Sequence, residues 1–339
     1  MDVNTHLRHD RSAPEKVLLA LSSVLLMLTI GCAHHMPIPS DSVARLYRPH
    51  LTGETLLENF APAFVVYNAQ QPHNRIGQPS AQVDHKNAVS IRIDPEQAVV
   101  YTQQIPFATT NADYTNLVYR IHFPKVPFEL VPFNLTAGRN AGVLVVMTVD
   151  SREQLVLVTT VGTCGCYKAL VPTTHLADEA LPDDWPALGD QIEIYGEHLP
   201  ARLDFSAVDR PRLMVHLRPD VHRVMDLEIA DEKDLFDKSG GMAAPYTMAP
   251  AASLWQLPTP AGTVSMFHED GVLKGHVKGA IKPLETIFLS WLSFDLFVGM
   301  DKAYADTGNP FYTSLKPWNR ERSDMWHFGR FLTFWGWRL

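Results

Sequence analysis

The stretch "GVLVVMTVDSREQLVLVTTV", Gly142–Val161, decides how this chain folds. Two apolar, β-branched runs of strand length flank the polar turn Asp150–Glu153. The first run, Gly142–Val149, is apolar on both faces. That is the pattern of a central strand covered on both sides. The second, Gln154–Val161, returns beside it as an antiparallel neighbour.

Working outward, "NLVYRIHF" (116–123) alternates Tyr119, Ile121 and Phe123 with Arg120 and His122, as a half-buried strand does. Short β-branched runs bounded by Pro, Asn, Asp or Gly recur at 63–67, 89–94 and 98–104, and further strands are expected at 192–195, 201–205 and 212–217. "GTVSMF" (262–267) and "VLKGHV" (272–277) meet across Asp270–Gly271, the strongest hairpin signal in the chain. The Gly-, Pro-, Ala- and Ser-rich segment 237–262 reads as a linker or long loop. Residues 283–305 read as a helix in which Thr286, Ser290, Ser293 and Asp301 share one narrow stripe and apolar side chains fill the rest, so it is predicted to be mostly buried. The end, "FGRFLTFWGWRL" (328–339), is an aromatic tail that needs a covered place in the core, a partner or a bilayer surface. The fold class expected is α+β, predominantly antiparallel β, a sandwich or open barrel with a buried C-terminal helix and aromatic tail.

The chain has 339 residues, is 46% hydrophobic and 19% charged, and has a net charge of -8, an ordinary globular composition. With a pI near 6.0, the acidic balance argues against a nucleic-acid partner, and a mean hydropathy of -0.08 argues against a polytopic membrane protein.

The N-terminus sets the address. "MDVNTHLRHDRSAPEK" (1–16) is polar, "VLLALSSVLLMLTI" (17–30) carries no charge, and Gly31–Cys32 follows. The apolar run has the length of a signal-peptide core and is short for a membrane span. "LTIGC" resembles the lipobox of bacterial lipoproteins, although Thr29 stands where that motif usually has Leu and the leading segment is not net positive. The resemblance implies removal of residues 1–31 and a lipid on Cys32, and Ala33 after the cysteine points to the outer membrane. An uncleaved inner-membrane anchor is the alternative. Both put the body outside the inner membrane, in the cell envelope on the periplasmic side. The expected organisation is a signal peptide or anchor over 1–31, a lipid-anchored tether with short helices over 32–60, a β-rich domain over 61–280, and a C-terminal helix and aromatic segment over 281–339.

Cys164–Gly165–Cys166 continues from the second strand. On an intact strand both thiols share a face, with Cα atoms about 6.6 Å apart. A relaxed disulfide prefers roughly 5.5–6 Å. Gly165 allows a bulge or turn that closes the difference. Same-face thiolates also suit a transition metal, with His175 as a third ligand. Buried core cysteines are the third reading. No other cofactor is expected. His268 and His276 sit on the two arms of the expected hairpin, and Asp295 interrupts the apolar helix, either with a shifted pKa or paired to Arg320, Arg322 or Arg330. The chain has no G-x-S-x-G, P-loop, G-x-G-x-x-G or EF-hand spacing, which leaves no local signature of catalysis, and the catalytic residues of any enzyme reading stay unknown. The sequence favours an envelope lipoprotein with a structural or binding role, tethered to a membrane and docking an envelope protein through its aromatic tail. The alternatives are a thiol-based redox or metal protein using the cysteine pair, and a hydrolase of unrecognised type.

Overall fold

The computed structural model describes residues 37–339 except 52, 54, 87, 130–133, 207, 209 and 236–241. The lipobox-like stretch and Cys32 lie outside the described residues. The strands are β1 (Arg45–Pro49), β2 (Ala63–Val66), β3 (Gln78–Val83), β4 (Val89–Asp94), β5 (Val99–Ala108), β6 (Asp113–Val126), β7 (Gly138–Val149) and β8 (Leu155–Gly162). They continue as β9 (Ala169–Pro172), β10 (Gln191–Ile194), β11 (Glu197–Pro200), β12 (Pro211–Leu217), β13 (Val224–Asp231), β14 (Ala243–Pro250), β15 (Leu257–Thr259) and β16 (Gly262–Val264). The helices are α1 (Leu56–Asn59), α2 (Pro283–Ser293) and α3 (Phe328–Phe334).

One curled mixed sheet carries the order β13-β12-β2-β1-β14-β5-β6-β7-β8-β9. β5 to β9 run as an antiparallel meander, and the pairs β1–β14, β14–β5 and β2–β12 are parallel. Its concave face collects Tyr47, Phe64, Leu117, Tyr119, Ile121, Phe123, Val143, Val145, Met147, Val158, Val215 and Tyr246 in one core. The edges β9 and β13 do not pair. Leu203 bridges to Thr173 beside β9, and β11 packs on β13, so the 197–205 segment spans the gap of an open barrel. The β-dominated α+β class follows directly from this architecture.

The two-faced run in β7 now has a cause. Val143, Val145 and Met147 point into the barrel, while Leu144 and Val146 point outward beneath Phe328, Phe331, Leu332, Trp337 and Leu339. A fully buried Val or Leu contributes roughly 1.5–3 kcal/mol, so the aromatic tail is part of the core. Of the side chains expected to dock a partner from this tail, Phe328, Phe331, Leu332, Trp337 and Leu339 are buried within the domain itself, and Phe334 and Trp335 are half-buried.

Four segments depart from expectation. Residues 243–250, inside the expected linker, form β14 in the middle of the sheet, between β1 and β5. β1 lies upstream of residue 61, so the sheet begins inside the stretch expected to be tether. The 283–305 helix stops at Ser293, where Phe294 takes a left-handed conformation and the Asp295 carboxylate accepts from Phe297 N at 2.8 Å, offering the backbone an alternative to the helix. That helix is also only half covered. Trp291 is 61% exposed, Phe294 79% and Leu296 74%, with Ile287 and Leu292 exposed beside them. The expected 262–277 hairpin does not form as a ladder: β16 pairs instead with the upstream β15, and the arms 262–267 and 272–277 meet at the Phe267–Val277 bridge. No helix among the described residues is long and apolar enough to cross a membrane.

Candidate functional site

The registers bring the start of β1, the ends of β2 and β12, the Val126–Gly138 pair and the end of β8 to one rim of the sheet. The chain leaves β8 at that rim and makes the cysteine loop. Gly165 N donates to Gly162 O at 2.8 Å and Gly162 N donates to Cys166 O at 2.8 Å, a tight turn in place of the strand continuation. Gly165 has φ +96°, and a Cβ there would collide with the Tyr312 carbonyl oxygen, so only glycine fits. The turn brings the Cα atoms of Cys164 and Cys166 to 5.6 Å, and the two are joined as a disulfide. Cys164 is buried and Cys166 is half-buried.

The disulfide separates two spaces. On its inner side is a void of about 20 Å³ whose lining includes both cysteines, His222, Arg223 and Lys282. On its outer side is a cleft of about 110 Å³ whose walls include Cys166, Tyr167, Glu285, Leu289, Tyr312 and Leu315. A buried ionic cluster packs against the cysteine loop and Tyr312. Lys302 Nζ donates to Cys164 O at 2.8 Å and lies 4.3 Å from the Tyr312 ring centre. Burial lowers its pKa to about 8, against the opposing pull of Asp295 and Asp301. Asp301 accepts from Thr163 Oγ1 at 2.6 Å and faces Lys282 Nζ at 3.4 Å. Arg120 Nη1 donates to Lys302 O at 2.7 Å. Glu285 is buried at the cleft wall, its Oε2 has no hydrogen-bond partner among the described residues, and burial raises its pKa.

The other candidate residues disperse. His175 leaves the cysteine pair alone: its Nδ1 is 3.1 Å from Leu155 O, and it lines neither space beside the disulfide. Among the described residues no group of His, Cys, Asp and Glu is placed to hold a metal ion. His268 and His276 do approach, through His268 N donating to His276 O at 2.9 Å. The His276 ring is buried, with Nδ1 3.1 Å from Leu273 O. Burial, then the nearby Lys302, lowers its pKa to about 4. Asp295 takes the Tyr312 hydroxyl proton as a hydrogen bond and stands 3.7 Å from Arg320 Nη2. These contacts fix Tyr312 as a wall of the cleft, and no histidine among the described residues hydrogen-bonds to Asp295.

Sequence reasoning passed over Glu285, Lys302 and Tyr312. Their signal was weak: an acidic residue in the first turn of an apolar helix, and a Lys next to Asp301. It also passed over Glu197, a buried carboxylate held by Arg223 Nε at 2.5 Å and Arg218 Nη2 at 2.6 Å, with Arg223 5.6 Å from the Tyr167 ring that lines the cleft. The two arginines hold the Glu197 carboxyl below its ordinary range despite the opposing, larger effect of burial. No family model, curated protein or solved structure matches this chain.

Proposed function

We propose that this chain is a lipoprotein of a bacterial cell envelope, anchored through Cys32 on the periplasmic side, whose domain sits on the membrane and acts by binding. The observation that carries the reading is the bare apolar face of α2 at the rim from which the tether leaves. Ile281 O accepts from Arg139 N at 3.2 Å, which puts the start of α2 at the Val126–Gly138 rim. At the same rim Ser42 Oγ accepts from Asn68 N at 2.7 Å and Val43 O accepts from Ala69 N at 2.9 Å, which fixes where the tether enters. From Cys32 to Ser42 a fully extended chain reaches at most about 35 Å. So short a leash keeps this rim toward the bilayer. Trp291, Phe294, Leu292 and Leu296 then meet the headgroup layer, where aromatic and aliphatic side chains are favoured. Leu315 and Trp318, also exposed, follow on the segment that Arg320 ties to Ser293 O.

Two measurements test it. Intact mass of the protein extracted from membranes should show loss of residues 1–31 and an added acyl mass; an unprocessed chain would mean an anchor helix instead. The Cys32→Ser protein should still co-float with phosphatidylglycerol-containing vesicles, and the added pair Trp291→Glu and Phe294→Glu should abolish this. Flotation that survives the pair, or that Cys32→Ser protein never shows, removes the seated-domain reading and turns the α2 face toward an envelope protein.

A further inference from the structure

The disulfide at the cleft does not depend on how the chain is tethered, and it has the parts of a reactive site. We infer that Cys164–Cys166 is a thiol–disulfide exchange centre that oxidises cysteine pairs in apolar segments of other proteins, with Cys166 Sγ as the atom attacked. Access selects the sulfur. Both cysteines line the outer cleft, but Cys166 is half-buried whereas Cys164 is only 5% exposed. The cleft sets the substrate class. Leu289, Val298, Tyr312 and Leu315 beside the cysteines offer contact to apolar side chains flanking the incoming thiol. The same cleft holds an unpartnered carboxyl oxygen, Glu285 Oε2, to receive the thiol proton.

The leaving group is provided for as well. The inner void that both cysteines line also has Lys282 and Arg223 in its wall, and Lys302 Nζ reaches the Cys164 carbonyl. Thiolates form more readily beside such cations, and a thiol of lower pKa leaves faster.

The step balances. A substrate thiolate attacks Cys166 Sγ, one S–S bond forms as the Cys164–Cys166 bond breaks, and the bonding electron pair leaves on Cys164. The second substrate thiolate then attacks the substrate sulfur of the mixed disulfide and releases the Cys166 thiolate. The substrate dithiol loses two electrons and two protons and becomes a disulfide; the protein gains the electrons as two cysteine thiolates, which take up the two protons by way of Glu285 and solvent and end as thiols. A second protein disulfide restores the centre by the reverse exchange.

Full-length protein extracted from membranes is incubated with benzyl mercaptan, an apolar thiol, quenched with acid, and peptide-mapped. The expected adduct is on Cys166. Adducts chiefly on Cys164, or none while the same thiol reacts with a control disulfide, overturn the proposal. Two thiols already alkylatable without reductant overturn it too, since no disulfide would be present. This readout needs no variant. With 5,5′-dithiobis(2-nitrobenzoate), an aromatic disulfide, Cys164→Ser protein should be modified at Cys166 roughly tenfold or more faster than Cys166→Ser protein at Cys164, following access and thiolate character. Equal rates in two folded variants would likewise refute the assignment. Glu285→Gln should slow adduct formation without moving it from Cys166, and an unchanged rate removes Glu285 from the step.

Discussion

At Gly165 a methyl group would meet the Tyr312 carbonyl, and the backbone already sits at φ +96°. Gly165→Ala should therefore lower stability by roughly 1–3 kcal/mol, the scale of a strained backbone position. Urea unfolding checks this; a loss under about 0.5 kcal/mol, the ordinary range of surface changes, would mean the loop shifts freely. The cysteine pair shows how far residue-level reading reaches. Spacing alone left buried, disulfide and metal readings side by side. The turn after Gly162 separates them, because it brings the Cα atoms to 5.6 Å, and a strand continuation would not. Asp295 is similar. Its arginine partner was among those the sequence offered, but Tyr312 was not, since nothing local says which phenol will fold back onto which carboxylate.

At the scale of elements, α2 and α3 have apolar sequences of much the same kind and opposite environments. Phe331 in α3 is fully buried against Leu144 and Val146 of β7, while Phe294 at the end of α2 is 79% exposed. Phe331→Ala should cost about 3–5 kcal/mol, as large-to-small core changes do. Phe294→Ala should stay within about 0.5 kcal/mol of the parent. Thermal or urea unfolding of the two variants decides it, and a small effect at Phe331 would detach the C-terminal segment from the core. The helical wheel of 283–305 correctly marked apolar side chains but could not say that one side would remain uncovered. Burial is a property of the neighbour, and the wheel contains only one partner of the contact. Alternation gave a clear strand at β6, and unbroken apolar runs gave β7 and β8, because each buries at least one face. It passed over β13 and β14, where Asp226, Glu228 and Pro245 break the pattern on exposed faces.

Across the whole molecule, buried histidines link stability to pH. Burial holds the His222 pKa down to about 3 and the His276 pKa to about 4, and it holds His122 well below its ordinary value. His222 keeps its neutral ring stacked on Phe123 at 4.0 Å and 3.1 Å from Asn74 Oδ1. Unfolded histidines take protons near pH 6.5, where the folded ones do not. Between 6.5 and about 4 the unfolded state therefore binds more protons, and stability falls as pH falls. Glu285, Asp226 and Asp324, raised by burial, act in the opposite sense as acid is added. A comparison of urea midpoints at pH 7.5 and about pH 5, for the parent and His276→Gln, isolates one histidine: the variant should lose less stability on acidification, in line with linkage. Superimposable pH curves would end this account.

By itself the sequence determined the β-dominated class and the antiparallel β7–β8 pair, because each rests on spacing within a few residues. Only the tertiary structure decided that residues 243–250 return to join β1 to β5, that the aromatic tail closes the outer face of β7, and that Glu285, Lys302 and Tyr312 surround one disulfide. Those pairings join residues far apart in the chain. Their free energy comes from surfaces covering one another, and a one-dimensional pattern records that a surface is apolar without recording what will cover it.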